Sequence, residues 1–176
     1  MSARSAAEAV EAFKASLQRS LDCITDAVLT VAGGYHPAPH PHVATLNQGE
    51  RVTLRGPRRL SMVVILHYRI VEAPGRSVWA IRTAAYYFEL ADARGREFLA
   101  YHWHPEGHPI SWPHMHVGSG SGADQVALSH KAHLPTGRVS LEDVIHLAIT
   151  ELDVPPRRAN WDEILTQARR ELLSEV

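Results

Sequence analysis

With 176 residues, 45% of them hydrophobic and 21% charged, and a formal net charge of -1, the chain has the make-up of one globular domain. Typical domains run about 50 to 250 residues, and this composition excludes disordered, collagen-like and coiled-coil classes. The near-neutral charge removes any global field that would draw the protein onto nucleic acid or an anionic membrane. A single cysteine, Cys23, excludes an internal disulfide and multi-cysteine zinc sites, so a metal would be held mainly by histidine and carboxylate.

No basic-then-apolar leader opens the chain, and apolar runs such as Met62 to Leu66 are too short to span a bilayer, so the expected location is the cytoplasm with no membrane partner. Ser5 followed by Glu8 reads as a capping box. Val10, Phe13, Leu17, Leu21, Ile24, Val28 and Val31 then recur at helical spacing, predicting a long amphipathic helix that stops at Gly33-Gly34. Cys23 sits beside that stripe and reads as a packing residue rather than a nucleophile.

Three prolines between Tyr35 and His42 remove backbone donors and fix φ, which forbids helix and predicts a loop carrying His36, His40 and His42 in solvent. Strands are expected at Arg51 to Arg55, Leu60 to Glu72, Ser77 to Leu90 and Arg96 to His104, joined by Gly-Pro, Pro74-Gly75 and Asp92-Ala-Arg-Gly95 turns. Alternation puts Leu99, Tyr101 and Trp103 on the core face of the last strand and Ala100, His102 and His104 on the other. A short strand at His114 to Val117 repeats the pattern, so two His-x-His pairs are expected to converge.

Gly118 to Gly122 reads as a linker turn, since no Gly-Lys-Ser/Thr ending follows. Ser140 with Asp143 opens a helix striped by Leu141, Val144, Ile145, Ala148, Ile149 and Leu152. Pro155-Pro156 ends that unit, and Asn160 with Glu163 opens a last helix burying Trp161, Ile164, Leu165, Ala168 and Leu172. The expected architecture is a single α+β domain over residues 1–176: a long N-terminal helix, an antiparallel meander of about four to five strands, a histidine-rich loop and two C-terminal helices.

Between Tyr101 and Val117 lie His102, His104, His108, His114 and His116 with one carboxylate, Glu106, among prolines and large aromatics. Imidazole binds metal, donates, accepts or shuttles protons near neutral pH. One reading is a site for zinc or a similar divalent metal, with His102, His104, His114 and His116 as ligands and Glu106 or His108 completing the sphere. A second is metal-free acid/base cleavage of RNA, in which His102, His114 and His116 move protons and Arg82 or Arg138 clamps phosphate. Trp103 and Trp112 would then stack on bases, at about 1 to 3 kcal/mol per base. A third is structural: histidines bonding neighbouring loops, with His67 and His146 structural or exposed.

The run Tyr86-Tyr-Phe-Glu-Leu-Ala-Asp-Ala-Arg-Gly-Arg-Glu-Phe-Leu-Ala-Tyr101, then His102 to His108, then Trp112-Pro-His-Met-His-Val-Gly118, resembles the TumE-like family of bacterial toxin-antitoxin proteins. Leu141-Glu-Asp-Val144 extends the likeness, which covers roughly residues 77–152. The resemblance implies a growth-inhibiting α+β protein partnered by an antitoxin with a DNA-binding domain, with the family's histidines falling on His108, His114 and His116. Where the family tends to have Arg-Tyr-Asp-Asn, this chain has Ala100-Tyr101-His102-Trp103, so a histidine replaces the acid.

The order of elements is also similar to the ubiquitin-conjugating fold, with His104-Pro105 matching its His-Pro, but no cysteine follows for a thioester. The expected function is therefore a toxin-like component of a two-gene defence module with histidine-dependent ribonuclease chemistry. The alternatives are a noncatalytic protein-binding module whose amphipathic helices engage a partner or a second copy of the chain, and a histidine-rich metal-binding protein.

Overall fold

The structure, a computed structural model, describes residues 3–73, 78–107, 109–121 and 132–173. The expected Pro74-Gly75 turn, Gly122 at the end of the expected linker turn, the side chain of Leu172, and His108 lie outside these residues.

The first helix, α1, runs Ala6–Leu21. Half of the expected capping box forms: Ser5 Oγ accepts from the Glu8 N–H at 3.2 Å, while the Glu8 carboxylate takes the Arg4 N–H at 2.9 Å. Val10, Phe13, Leu17 and Leu21 are buried along one face, each such side chain contributing about 1.5 to 3 kcal/mol.

The helix does not continue to Gly33-Gly34. The Asp22 N–H bonds the Gln18 carbonyl, and the Gln18 side chain gathers the chain that follows. Its Nε2 donates to Asp22 Oδ1 (2.9 Å) and Ala27 O (3.0 Å), and its Oε1 accepts the Leu29 N–H at 2.7 Å. These bonds turn Leu29, Thr30 and Val31 into a strand, β1 (Leu29–Ala32), where branched side chains pack well. Val28, which the helical stripe would bury, is 61% exposed.

Seven further strands follow: β2 (His42–Leu46), β3 (Val52–Thr53), β4 (Ser61–Ala73), β5 (Val78–Ala91), β6 (Glu97–Trp103), β7 (His114–Val117) and β8 (Leu134–Pro135). The described strands pair antiparallel in the order β1-β2-β4-β5-β6-β7-β8, with β3 also on β4. The meander is thus larger than expected, because β1, β2 and β8 are short and give little periodic signal. The β5–β6 turn forms where expected: Asp92 Oδ1 accepts the N–H groups of Arg94 and Arg96, and Gly95 takes φ 76, a left-handed value that suits glycine.

One face of the sheet carries the core. Phe13 meets Tyr68 at 5.2 Å between ring centroids, and Tyr86 stacks on Phe88 at 4.9 Å. The C-terminal helices α2 (Leu141–Thr150) and α3 (Trp161–Leu173) complete this side, and α1 packs against both. At the start of α2 the expected capping box is complete: Ser140 Oγ accepts the Asp143 N–H, and the Asp143 carboxylate accepts the Ser140 N–H.

His42 departs from the solvated loop expected for it. It is buried, stacks on Tyr68 at 5.4 Å, and its Nε2 meets the His36 carbonyl at 2.9 Å. Gly33 makes room, since a Cβ there would lie 2.5 Å from His42 Nδ1. No described helix is long and apolar enough to cross a membrane.

Candidate metal centre

The pleat of β6 and β7 decides where the histidines go. His102 lies opposite His114 and Ala100 opposite His116, and residues directly opposite in an antiparallel pair share a face. The same rows reach β5, with Tyr87 opposite His102 and Glu89 opposite Ala100. Leu99, Tyr101 and Trp103 alternate with these and face the helices. Of the two His-x-His pairs, His102, His114 and His116 converge as their alternation implies, while His104, one residue past the end of β6, stays at the edge.

The rings of His102 and His114 stack at 5.4 Å, those of His102 and His116 lie at 4.8 Å, and those of His114 and His116 at 5.2 Å. One nitrogen from each of the three lies within 4.8 Å of the others. A tetrahedral ion with bonds near 2.0 to 2.1 Å wants donor separations of about 3.3 Å. An ion bound there would have to draw the three nitrogens together by side-chain rotation.

Hydrogen bonding sets which nitrogen each ring can offer. His114 is 2% exposed, and its Nδ1 sits 2.9 Å from the Trp112 carbonyl. A carbonyl only accepts, so the proton is on Nδ1 and the Nε2 lone pair is left for the cluster. The Nε2 of His102 is buried with no hydrogen-bond partner among the described residues. Such an atom normally costs about 1 to 3 kcal/mol, so it needs a reason. Burial, and then the neighbouring His116, His114, His104 and His133, push the His102 pKa down to about 3, which keeps the ring neutral and able to coordinate at physiological pH.

Behind His102 the wall is fixed. The Tyr87 ring meets it edge-on at 4.6 Å. The Tyr87 hydroxyl donates to the buried Glu89 carboxylate, which also accepts from Arg51 at 2.8 Å. Burial and Glu89 raise the Tyr87 pKa, so the phenol stays protonated. Gly118 sets the far end of β7: its N–H bonds the Phe98 carbonyl at 3.1 Å, and a Cβ there would lie 2.2 Å from Glu97 O. The close approach of β7 to β6 at that end therefore requires glycine.

The remaining candidates are distributed unevenly. The His104 ring lies 5.8 Å from that of His102, at the edge of the cluster. Glu106 points away, its side chain 81% exposed and 3.5 Å from Arg69. Trp112 is 42% exposed and meets His114 edge-on at 5.3 Å. Arg138 lies 4.1 Å over Trp103, on the helix side of the sheet. Arg82, opposite Arg69 in the β4–β5 register, borders the same helix-side cleft as Arg138. Arg138 is thus across the sheet from the triad it was expected to serve.

One member of the cluster was absent from the candidates. The His133 ring sits 4.9 Å from His114 and 4.5 Å from His116. It immediately precedes β8, whose pairing places Leu134 opposite Met115 and Pro135 opposite His114. The signal for it was the alternation of His133 with Leu134 beside a proline, too short to announce a strand.

Fold and site together define an α+β protein with a convergent cluster of imidazoles on one face of an antiparallel sheet and its helices on the other. No protein-family model, no curated protein and no solved structure matches the chain.

Proposed function

We propose that the protein binds a divalent transition metal through His102, His114 and His116. The observation that carries this reading is the convergence of three imidazole nitrogens within 4.8 Å of one another. The partnerless Nε2 of His102 and the carbonyl-held tautomer of His114 support it. An all-nitrogen donor set without thiolate suits zinc, copper, nickel or iron better than magnesium or calcium.

Three protein ligands leave one position of a tetrahedral ion open, the arrangement catalytic zinc sites use to hold a water and lower its pKa to about 7. The His133 ring, 4.9 Å from His114 and 4.5 Å from His116, could supply a further nitrogen or a proton-transfer group to such an ion. The growth arrest expected from the TumE-like resemblance would on this reading depend on the metal, with hydrolysis as the chemistry.

The test is calorimetric titration of chelator-treated protein with Zn²⁺ and Co²⁺, with elemental analysis of untreated protein. One ion per chain is expected, and cobalt should give the visible absorption of a tetrahedral site. Equal binding by a folded His102→Ala/His114→Ala/His116→Ala variant would overturn the proposal. Expression of wild type and triple variant in a bacterial host then tests the toxin reading, which requires arrest by the wild type alone.

A further inference from the structure

Across the sheet from the histidines, a cleft of about 600 Å³ opens between α1, the β4–β5 hairpin and the start of α2. Its size falls within the range of about 300 to 1,000 Å³ usual for small-ligand sites. Phe13, Leu17, Leu66, Phe88 and Trp103 form apolar walls. The charged residues lining it are Arg82, Arg138, Arg169 and Asp143.

The charges do not cancel. Asp143 is already engaged, pairing with Arg169 and accepting from the Ser140 N–H and hydroxyl. No carboxylate among the described residues pairs with Arg82 or Arg138. Arg138 instead lies over the Trp103 ring, and the Nε of Arg169 is buried with no hydrogen-bond partner. A packing defect would be lined by apolar side chains alone. Here guanidinium donors and an unsatisfied N–H border an oily slot, an arrangement matched by an anion with an apolar body.

We propose that this cleft binds a small amphipathic carboxylate, with its head on Arg138 and its aromatic or branched apolar body between α1 and the sheet. A carboxylate fits the planar guanidinium fork with two parallel bonds. Phe13, Leu17, Leu66, Phe88 and Trp103 would leave the hydroxyls of a sugar without partners. The inference is independent of the metal reading, since its residues lie on the other side of β6.

The experiment is calorimetry with 2-naphthoate and its neutral analogue 2-naphthylmethanol, in EDTA so that no metal at the histidines can capture the acid. Saturable one-to-one binding of 2-naphthoate is expected, with the alcohol at least about tenfold weaker. Arg138→Gln should lose about tenfold, and Arg138→Glu should abolish binding. Both substitutions are at an exposed position, and circular dichroism checks their folds. Absence of saturable binding at millimolar probe, equal binding of the alcohol, or indifference to both Arg138 variants would each overturn the proposal.

Discussion

His102 and Trp103 are consecutive in β6 yet serve opposite sides of the sheet: His102 stacks on His114 at 5.4 Å, while Trp103 lies 4.1 Å beneath Arg138. The pleat therefore separates two chemistries by one peptide unit, a nitrogen cluster on one side and a cationic apolar cleft on the other.

Metal binding should depend on the three converging histidines and much less on their neighbour. His102→Ala or His114→Ala is expected to weaken Zn²⁺ about 100-fold or more, and His133→Ala about tenfold, the low end of the losses of about 10- to 100-fold for outer partners. Zn²⁺ at a thousand times its Kd should stabilise the wild type by about 4 kcal/mol. Thermal melts of wild type and variants with and without the ion check both expectations.

Glu142 is fully buried at the start of α2, where one oxygen accepts from Ser20 at 2.8 Å and the other has no hydrogen-bond partner among the described residues. Burial raises its pKa above the ordinary glutamate value of 4.5. The native state then holds a proton that the unfolded chain has released, so this group's contribution to stability falls as pH rises above about 4.5. Glu142→Gln keeps the Ser20 bond and should flatten that decline, making the variant more stable than wild type at pH 7. Urea unfolding of both proteins from pH 4 to 8 measures it, and parallel profiles would refute it.

Gly118→Ala would place a methyl group 2.2 Å from Glu97 O, so β7 must move away from β6. We expect a loss of more than about 3 kcal/mol, in the range of severe single substitutions. Metal affinity should fall with it, because His116 is two residues away. Chemical denaturation and metal titration together distinguish this from a benign change.

The Tyr68 hydroxyl is buried without a hydrogen-bond partner among the described residues, while its ring packs on Phe13 and His42. Tyr68→Phe keeps the packing and removes the unsatisfied group, so stability should be unchanged or raised by about 1 kcal/mol. A fall of similar size would mean that the hydroxyl has a partner in solution.

The parts of this structure legible in the sequence are those in which neighbouring residues decide the outcome. His102-x-His104 and His114-x-His116 alternate with apolar residues, and a period of two sends them to one face whatever the rest of the chain does. Ser140 and Asp143 announce α2 for the same reason. β1 was hidden because Ile24, Val28 and Val31 prolong the apolar spacing of α1. The turn that redirects them comes from the Gln18 side chain, whose Oε1 accepts the Leu29 N–H. His133 and the Arg138–Trp103 contact are assembled by strand pairing and packing between distant segments, which local periodicity does not encode. The expected Arg138 clamp failed for that reason, since neither the register nor the side of the sheet was readable from the cation itself.

Beside the histidine cluster, β8 ends the described sheet with a proline. The Thr136 N–H points inward to the Pro113 carbonyl, so alternation directs the backbone nitrogen of Pro135 outward, where it carries no hydrogen. A strand arriving from a second molecule would find no donor at that position. The border nearest the imidazoles is thereby closed to edge-to-edge growth, which guards an exposed β-sheet against aggregation.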